Sequence, residues 1–363
     1  MLTSSGFPLL QLPLLALKTV VNVMDPDTVL ELALHLNQFK LHLSIVKYKI
    51  ESVEWEMISY HTGVIAKSNF GKWDFRIESP AKFDEIMRLE GVKVESIKLN
   101  GATVRVAKCD KYRRIQFYLI PEKFESKLDT LENLTKFLMS FVKCSKFRLG
   151  YYLEEELLSK NFFVWKYLNG NPIDLGVTGN GNPIIMTPDD LKFMLDNLQF
   201  GQLWLNIRVS EPKFKYQGYL KAKELTISGD NSWIDLKSLN CEEVVLHTAL
   251  EDSEQIEHIL KNWIQGSSME KLELLKTYKP RNFHSDEFLK DLKHEKTAFS
   301  REDIWKRVRL ITDSYVVRDI QRESDGRWGT LCIGSRLRVY FIVWTPEKLK
   351  ECSQETRIKL GLE

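Results

Sequence analysis

The chain has little cysteine. Its 363 residues carry 5, at Cys109, Cys144, Cys241, Cys332 and Cys352, and no C-x-x-C pair occurs. An odd, widely scattered set excludes a disulfide framework and the common zinc spacings, so these thiols are expected to be reduced and mostly buried. Long apolar runs are also absent, which excludes an apolar membrane-spanning helix. Charge of one sign is lacking too: the formal net charge is +2. That balance argues against a partner held by electrostatics alone, such as nucleic acid. No H-E-x-x-H or phosphate-cradling G-x-x-x-x-G-K-[ST] stands anywhere, and the Gly-Asn loop with Gly176, Gly179 and Gly181 has no Lys-Ser or Lys-Thr after it. Nothing local marks a nucleophile, a metal site or a cofactor. The expectation is therefore no catalytic residue, no metal and no cofactor.

What remains is an ordinary globular composition, 43% hydrophobic and 28% charged, enough for a substantial core. The start is unusual. Phe7-Pro8-Leu9-Leu10-Gln11-Leu12-Pro13-Leu14-Leu15-Ala16-Leu17 runs on to Met24-Asp25-Pro26-Asp27. Proline is tolerated at the first helical position, where its missing N–H has no partner anyway. Leu14, Leu17, Val21 and Met24 recur at helical spacing, and Asp25 can cap a second helix carrying Pro26, Val29, Leu30, Ala33 and Leu36. Pro8, Pro13 and Lys18 interrupt the run, so neither a secretory leader nor a membrane span is expected.

Further on, Val53–Ile58, Trp73–Ile77, Ile97–Leu99, Thr103–Val106 and Ile115–Ile120 alternate as half-buried strands. Asn100-Gly101 marks a hairpin between two of them. Thr187-Pro188-Asp189-Asp190 opens a helix. Strands are then expected at Leu203–Ile207, Glu224–Ile227, Glu243–Leu246 and Leu272–Leu275, with short helical turns near Asp235–Leu239. A longer helix, capped by Asp252 or Ser253 and ended by Gly266, carries Ile256, Ile259, Leu260, Trp263 and Ile264. Units of roughly twenty to thirty residues have leucine-rich-repeat spacing without that consensus. Leu225, Ile227, Val245, Leu272 and Leu274 are expected to face the helix. Asp325-Gly326 turns a hairpin, and Val339–Trp344 reads as a strand buried on both faces.

The opening resembles the F-box of a large nematode protein family: Phe-Pro-Leu-Leu, Leu-Pro, Ala-Leu-Lys and Met-Asp-Pro all stand here. Beyond them the chain reads His35-Leu36-Asn37-Gln38-Phe39-Lys40, where F-boxes commonly carry a small polar and basic run. A second stretch resembles the F-box-associated domain of the same proteins, through Glu224-Leu225-Thr226-Ile227, Trp233, Leu236, Leu239-Asn240-Cys241, Leu260, Trp263, Gly266 and Leu272-Glu273. The resemblance implies a substrate-recognition subunit of a Skp–cullin–F-box ubiquitin ligase, itself non-catalytic, in the cytoplasm or nucleus. Its partners would be a Skp-type adaptor, through it a cullin, and an unknown target protein, with no nucleic acid and no membrane. The alternative is a repeat-type interaction module with no ligase role.

The fold class expected is α/β, α+β overall: a helical F-box at residues 7–45, a strand-rich middle at 46–200, and a repeat-like parallel α/β layer at 200–345. Adaptor contact is assigned to Leu10, Leu12, Pro13, Leu14, Leu17, Val21, Met24, Pro26 and Leu30, because two short helices are expected to leave these apolar groups uncovered. Target contact is assigned to strand-end and loop residues, chiefly Trp204, Arg208, Asp230, His247 and Tyr278, which would line one edge if the strands are parallel.

Overall fold

The computed structural model describes residues 9–58, 61–89, 92–99, 101–111, 114–121, 126–152, 158–168, 170–179, 182–249, 253–267, 269–278, 285–290, 292–308, 314–334 and 338–362. Phe7, Pro8, Asn100 and Asp252, used in the sequence reading, lie outside them. The fold is mixed α+β, and the chain divides into two compact units, Met1–Asp174 and Leu175–Glu363.

The first unit begins with a short 3-10 turn, Leu9–Gln11, and three helices: α1 (Leu14–Val23), α2 (Pro26–His35) and α3 (Asn37–Val46). Pro13 is the N-cap of α1 rather than its first residue. Asp25 caps α2, its carboxylate accepting from Thr28 N–H at 3.1 Å, with Pro26 in the first turn. After β1 (Tyr48–Lys49) come β2 (Ser52–Ile58), β3 (His61–Ser68), β4 (Gly71–Ile77), α4 (Pro80–Met87), β5 (Lys93–Leu99), β6 (Ala102–Lys111) and β7 (Arg114–Pro121). Helix α5 (Lys127–Phe141) leads to β8 (Val142–Lys143), β9 (Lys146–Tyr151) and a single turn, α6 (Trp165–Leu168).

Strand β3 pairs antiparallel with both β2 and β4. Parallel pairings place β9 outside β2 and β7 outside β4, and β7, β6 and β5 continue as an antiparallel meander. Helix α5 lies on β3 and β4: Trp55 Nε1–H donates to Thr135 Oγ1 at 3.0 Å, and the Trp73 and Phe141 rings are 6.2 Å apart. The N-terminal helices stack on this layer, with Lys40 over the Phe137 ring at 4.7 Å and Lys47 Nζ donating to the Ser140 carbonyl at 2.6 Å.

In the second unit, β10 (Ile173–Val177) runs through the division point and is followed by β11 (Ile184–Met186), α7 (Pro188–Asn197), β12 (Phe200–Val209), β13 (Ala222–Gly229) and β14 (Glu243–Ala249). Then come α8 (Ser253–Gln265), β15 (Leu274–Tyr278), α9 (Ser285–Lys290), β16 (Glu295–Lys296) and α10 (Arg301–Val308). The chain closes with β17 (Ser314–Gln321), β18 (Trp328–Gly334), β19 (Arg338–Trp344), α11 (Pro346–Lys350) and α12 (Gln354–Lys359). Strands β11 to β15 pair parallel in chain order. Strand β19 then pairs antiparallel with β15 and continues through β18 and β17 to β16. The apolar tail strand is thus central and buried from Val339 to Trp344. Only a 3-10 turn, Leu236–Ser238, forms where helical turns were expected near Asp235–Leu239.

Register decides which side chains face α8. Leu203, Leu225, Val244, Leu275 and Phe341 are successive partners across the strands and all are buried. The Trp263 ring meets Phe341 edge-on at 4.8 Å, so this is the α8 side. Val245 and Leu274, expected on that side, point the other way. Adjacent strand residues alternate faces, and their neighbours Val244 and Leu275 take the inward positions.

Among the described residues, the opposite face is covered over the antiparallel half. There Phe299, Ile304, Val308 and Cys352 pack on Cys332, Tyr340, Ile342 and Trp344. Asp303 ties this cover together. Its buried carboxylate accepts from Ser300 Oγ at 2.6 Å, Thr356 Oγ1 at 2.7 Å, and Ser353 N–H and Oγ at 2.9 Å each. Burial pushes the carboxyl up, but these hydrogen bonds outweigh it and hold its pKa at about 2. A depressed carboxyl contributes stability that is present above its unfolded value, near 4, and lost as the pH falls toward 2. Asp303→Asn should therefore cost about 2 kcal/mol at neutral pH and flatten the acid limb of a denaturation-against-pH curve. An unchanged acid limb would show that the network contributes nothing.

Candidate protein-binding surfaces

In the first unit the N-terminal helices divide their leucines between core and solvent. Leu17, Val21, Pro26 and Leu30 are buried, because α1 packs on α3 and β1, and α2 on α3, β4 and β5, so the same unit covers them. They cannot present to a partner. Leu10, Leu12 and Met24 are partly buried, and Pro13 and Leu14 are exposed. The exposed apolar groups lie elsewhere on the same helices: Leu15 at 78%, Leu41 at 65% and Ile45 at 64% exposure, together with Leu14 and Leu36. Helices α1 and α3 pack on each other, and each carries exposed apolar side chains, Leu14 and Leu15 on the first and Leu41 and Ile45 on the second. Leu41 and Ile45 were missed by the sequence reading, although their spacing of four on α3 is a legible helical stripe.

In the second unit the outward face of β12 to β15 has no helix over it among the described residues. Trp204 stands in the middle of β12, 48% exposed, its Nε1–H donating to Ser228 Oγ at 3.3 Å. Arg208 and His247 are exposed on the same face, and Tyr278 is half-buried at the end of β15. The His247 and Tyr278 rings are 6.3 Å apart, and Arg338 sits over the Tyr278 ring at 5.9 Å. Burial lowers the His247 pKa, and the cations of Lys276 and Arg338 lower it further. Asp230 lies apart, just past β13, where its carboxylate accepts from Ser232 N–H at 2.8 Å and shapes a turn. The structure thus brings Trp204, Arg208, His247 and Tyr278 onto one open sheet face rather than one edge, adds Lys276 and Arg338 to them, and leaves Asp230 out.

Other constellations have structural roles. Burial pushes the thiol of Cys144 up, and those of Cys241, Cys332 and Cys352 to about 11, 12 and 11, the opposite of an activated nucleophile. Glu31, His35 and Glu95 gather at the surface, but Glu31 is already paired with the Lys108 ammonium, making this an ion-pair cluster.

Against known families, residues 216–277 match the family described as F-box associated. That segment holds β13, β14, α8 and most of β15, hence the centre of the open face. It also contains a cavity of about 650 Å³ lined by Tyr219, Asn240, Asn262, Gln265, Ser267 and Glu270 among others. No curated protein matches the chain, and no solved structure does. The match gives the second unit a segment of the F-box associated type.

Proposed function

We propose that the protein is the substrate-recognition subunit of a Skp–cullin–F-box ubiquitin ligase. The observation that carries this reading is the F-box associated match at residues 216–277, on a chain whose opening helices expose an apolar surface through Leu14, Leu15, Leu41 and Ile45. A Skp-type adaptor would seat on that surface, and a cullin would follow through the adaptor. The open face of β12 to β15 would hold the target. Catalysis would then be proximity: the ubiquitin-charged enzyme is brought to a held target, and no residue of this chain does acid–base or nucleophilic work. The cytoplasm or nucleus, where such ligases act, is the compartment this reading assigns.

Two-helix apolar docking concentrates affinity in a few central side chains. Co-expression of the full chain with a Skp-type adaptor should yield a complex that stays together through size exclusion. Separate elution of two folded proteins would remove the ligase role and leave an interaction module.

A further inference from the structure

The open face of the second unit sorts its side chains by row. Strand pairing sets Gln202, Glu224, Glu243 and Leu274 side by side near the strand beginnings. The next row is Trp204, Thr226, Val245, Lys276 and Tyr340. Beyond it come Asn206 beside Ser228, then His247, and Tyr278 beside Arg338. Arg208 ends the face, paired with the exposed Ile185 of β11. The carboxylates thus stand at one end and the cations and aromatic rings at the other. At the acidic end Gln202 Nε2 donates to Glu224 at 2.7 Å, and burial together with Glu224 and Glu273 pushes the Glu243 carboxyl up. At the basic end, among the described residues, strand pairing puts no carboxylate beside Lys276 or Arg338, and Asp230, which follows Ile207's partner Gly229, has its carboxylate accepting from Ser232 N–H.

We infer that the basic and aromatic end of this face binds an extended, acidic segment of the target protein. The inference rests on the reading of the chain as a target-recognition subunit and names the chemistry of the target. Three observations carry it. The cations are complementary to carboxylates, and among the described residues no ion pair joins Arg208, Lys276 or Arg338 to a carboxylate. The exposed indole of Trp204 and the ring of Tyr278 lie among them, the usual anchors of a protein interface.

The third observation is span. Arg208 stands on β12 and Arg338 on β19, with β13, β14 and β15 between them. Four strand spacings of about 4.8 Å make roughly 19 Å. A single anion cannot bridge that distance. An extended chain rising about 3.3 Å per residue does so in about six residues. The segment therefore crosses the strands with one carboxylate over Arg208 and another near Arg338, and the Trp204 indole flanks it, two rows back from Arg208 on β12. The Glu224–Glu243 row repels it from the other end.

The test uses the full chain and two fluorescein-labelled decapeptide libraries. One has Glu fixed at two positions six residues apart, the other has Lys at the same positions, and all other positions are randomised. The glutamate library should bind at least about tenfold more tightly, and its binding should weaken as salt is raised. Arg208→Glu with Arg338→Glu should abolish the difference. Arg208→Glu alone, on an exposed side chain, should reduce it by about tenfold and guards against misfolding of the double variant. Trp204→Ala should weaken the glutamate library without restoring the lysine one. Equal binding of the two libraries, or a preference unchanged in folded Arg208→Glu, would overturn the inference. Adaptor co-purification reports separately on the ligase reading, so failure of one is not mistaken for failure of the other.

Discussion

Trp263→Ala should destabilise the second unit by about 3–5 kcal/mol, the usual range for truncating a buried aromatic. The indole is fully buried on the apolar side of α8 with Ile256, Ile259 and Leu260. Its ring meets Phe341 of the central strand at 4.8 Å and has Arg322 over it at 5.8 Å. The fit is close because Gly329 lies beneath: a Cβ there would come within 2.4 Å of Phe341 Cζ and 3.1 Å of Trp263 Cη2. Little can therefore collapse into the space the indole leaves, which places the cost in the upper part of the range. Trp263 Nε1–H has no hydrogen-bond partner among the described residues, so Trp263→Phe should keep much of the packing and lose no hydrogen bond. Urea denaturation followed by circular dichroism measures both variants. A cost below about 1 kcal/mol for the alanine would mean that α8 does not hold the sheet.

The second large effect concerns the adaptor. Leu15→Glu with Leu41→Glu should weaken binding of a Skp-type adaptor at least about a hundredfold, roughly 2.7 kcal/mol, because two carboxylates would be buried without partners in an apolar contact. Both side chains are exposed, so folding should be nearly unchanged. Leu17→Ala and Leu30→Ala should do the reverse. Each removes a fully buried side chain and should cost about 2–5 kcal/mol of stability before touching any partner. A titration calorimeter and a melting curve separate the two outcomes. If the exposed pair leaves adaptor affinity intact while the protein stays folded, α1 and α3 are not the docking surface.

Which residues form each element was largely legible in the sequence. Asp25-Pro26 opens α2, and alternation finds β2, β4, β5, β6 and β7. Asp325-Gly326 turns the β17–β18 hairpin, with Gly326 at a positive φ of 74°. Strand β3 escaped notice. His61–Ser68 carries Thr62, Gly63 and Ala66 where a strand pattern expects large apolar residues. Gly63 is required by its neighbour, since a Cβ there would sit 2.1 Å from the Phe75 carbonyl oxygen. The need arises across strands and leaves no local trace.

The candidate surfaces were only half legible, for the same reason. Periodicity says that Leu14, Leu17 and Val21 share a helix, but whether each is covered depends on how α1 packs on α3 and β1. Likewise Val244 and Val245 are equally apolar in sequence, and only the register with Leu225 and Thr226 assigns one to the core and the other to the open face. Trp204, Arg208, His247 and Tyr278 could be picked out one at a time as strand-end groups. That they share one face with Lys276 and Arg338 needed the parallel pairing of β12 to β15 and the antiparallel docking of β19.

Under the proposed function, the opening helices seat the adaptor and the open face of β12 to β15 holds the target. Hydrogen–deuterium exchange of the full chain, with and without a saturating Skp-type adaptor, tests it most directly. Added protection should be confined to residues 9–46, strongest in α1 and α3, with β12 to β15 exchanging as in the free protein. Protection centred on residues 200–249, or none anywhere along the chain, would contradict it.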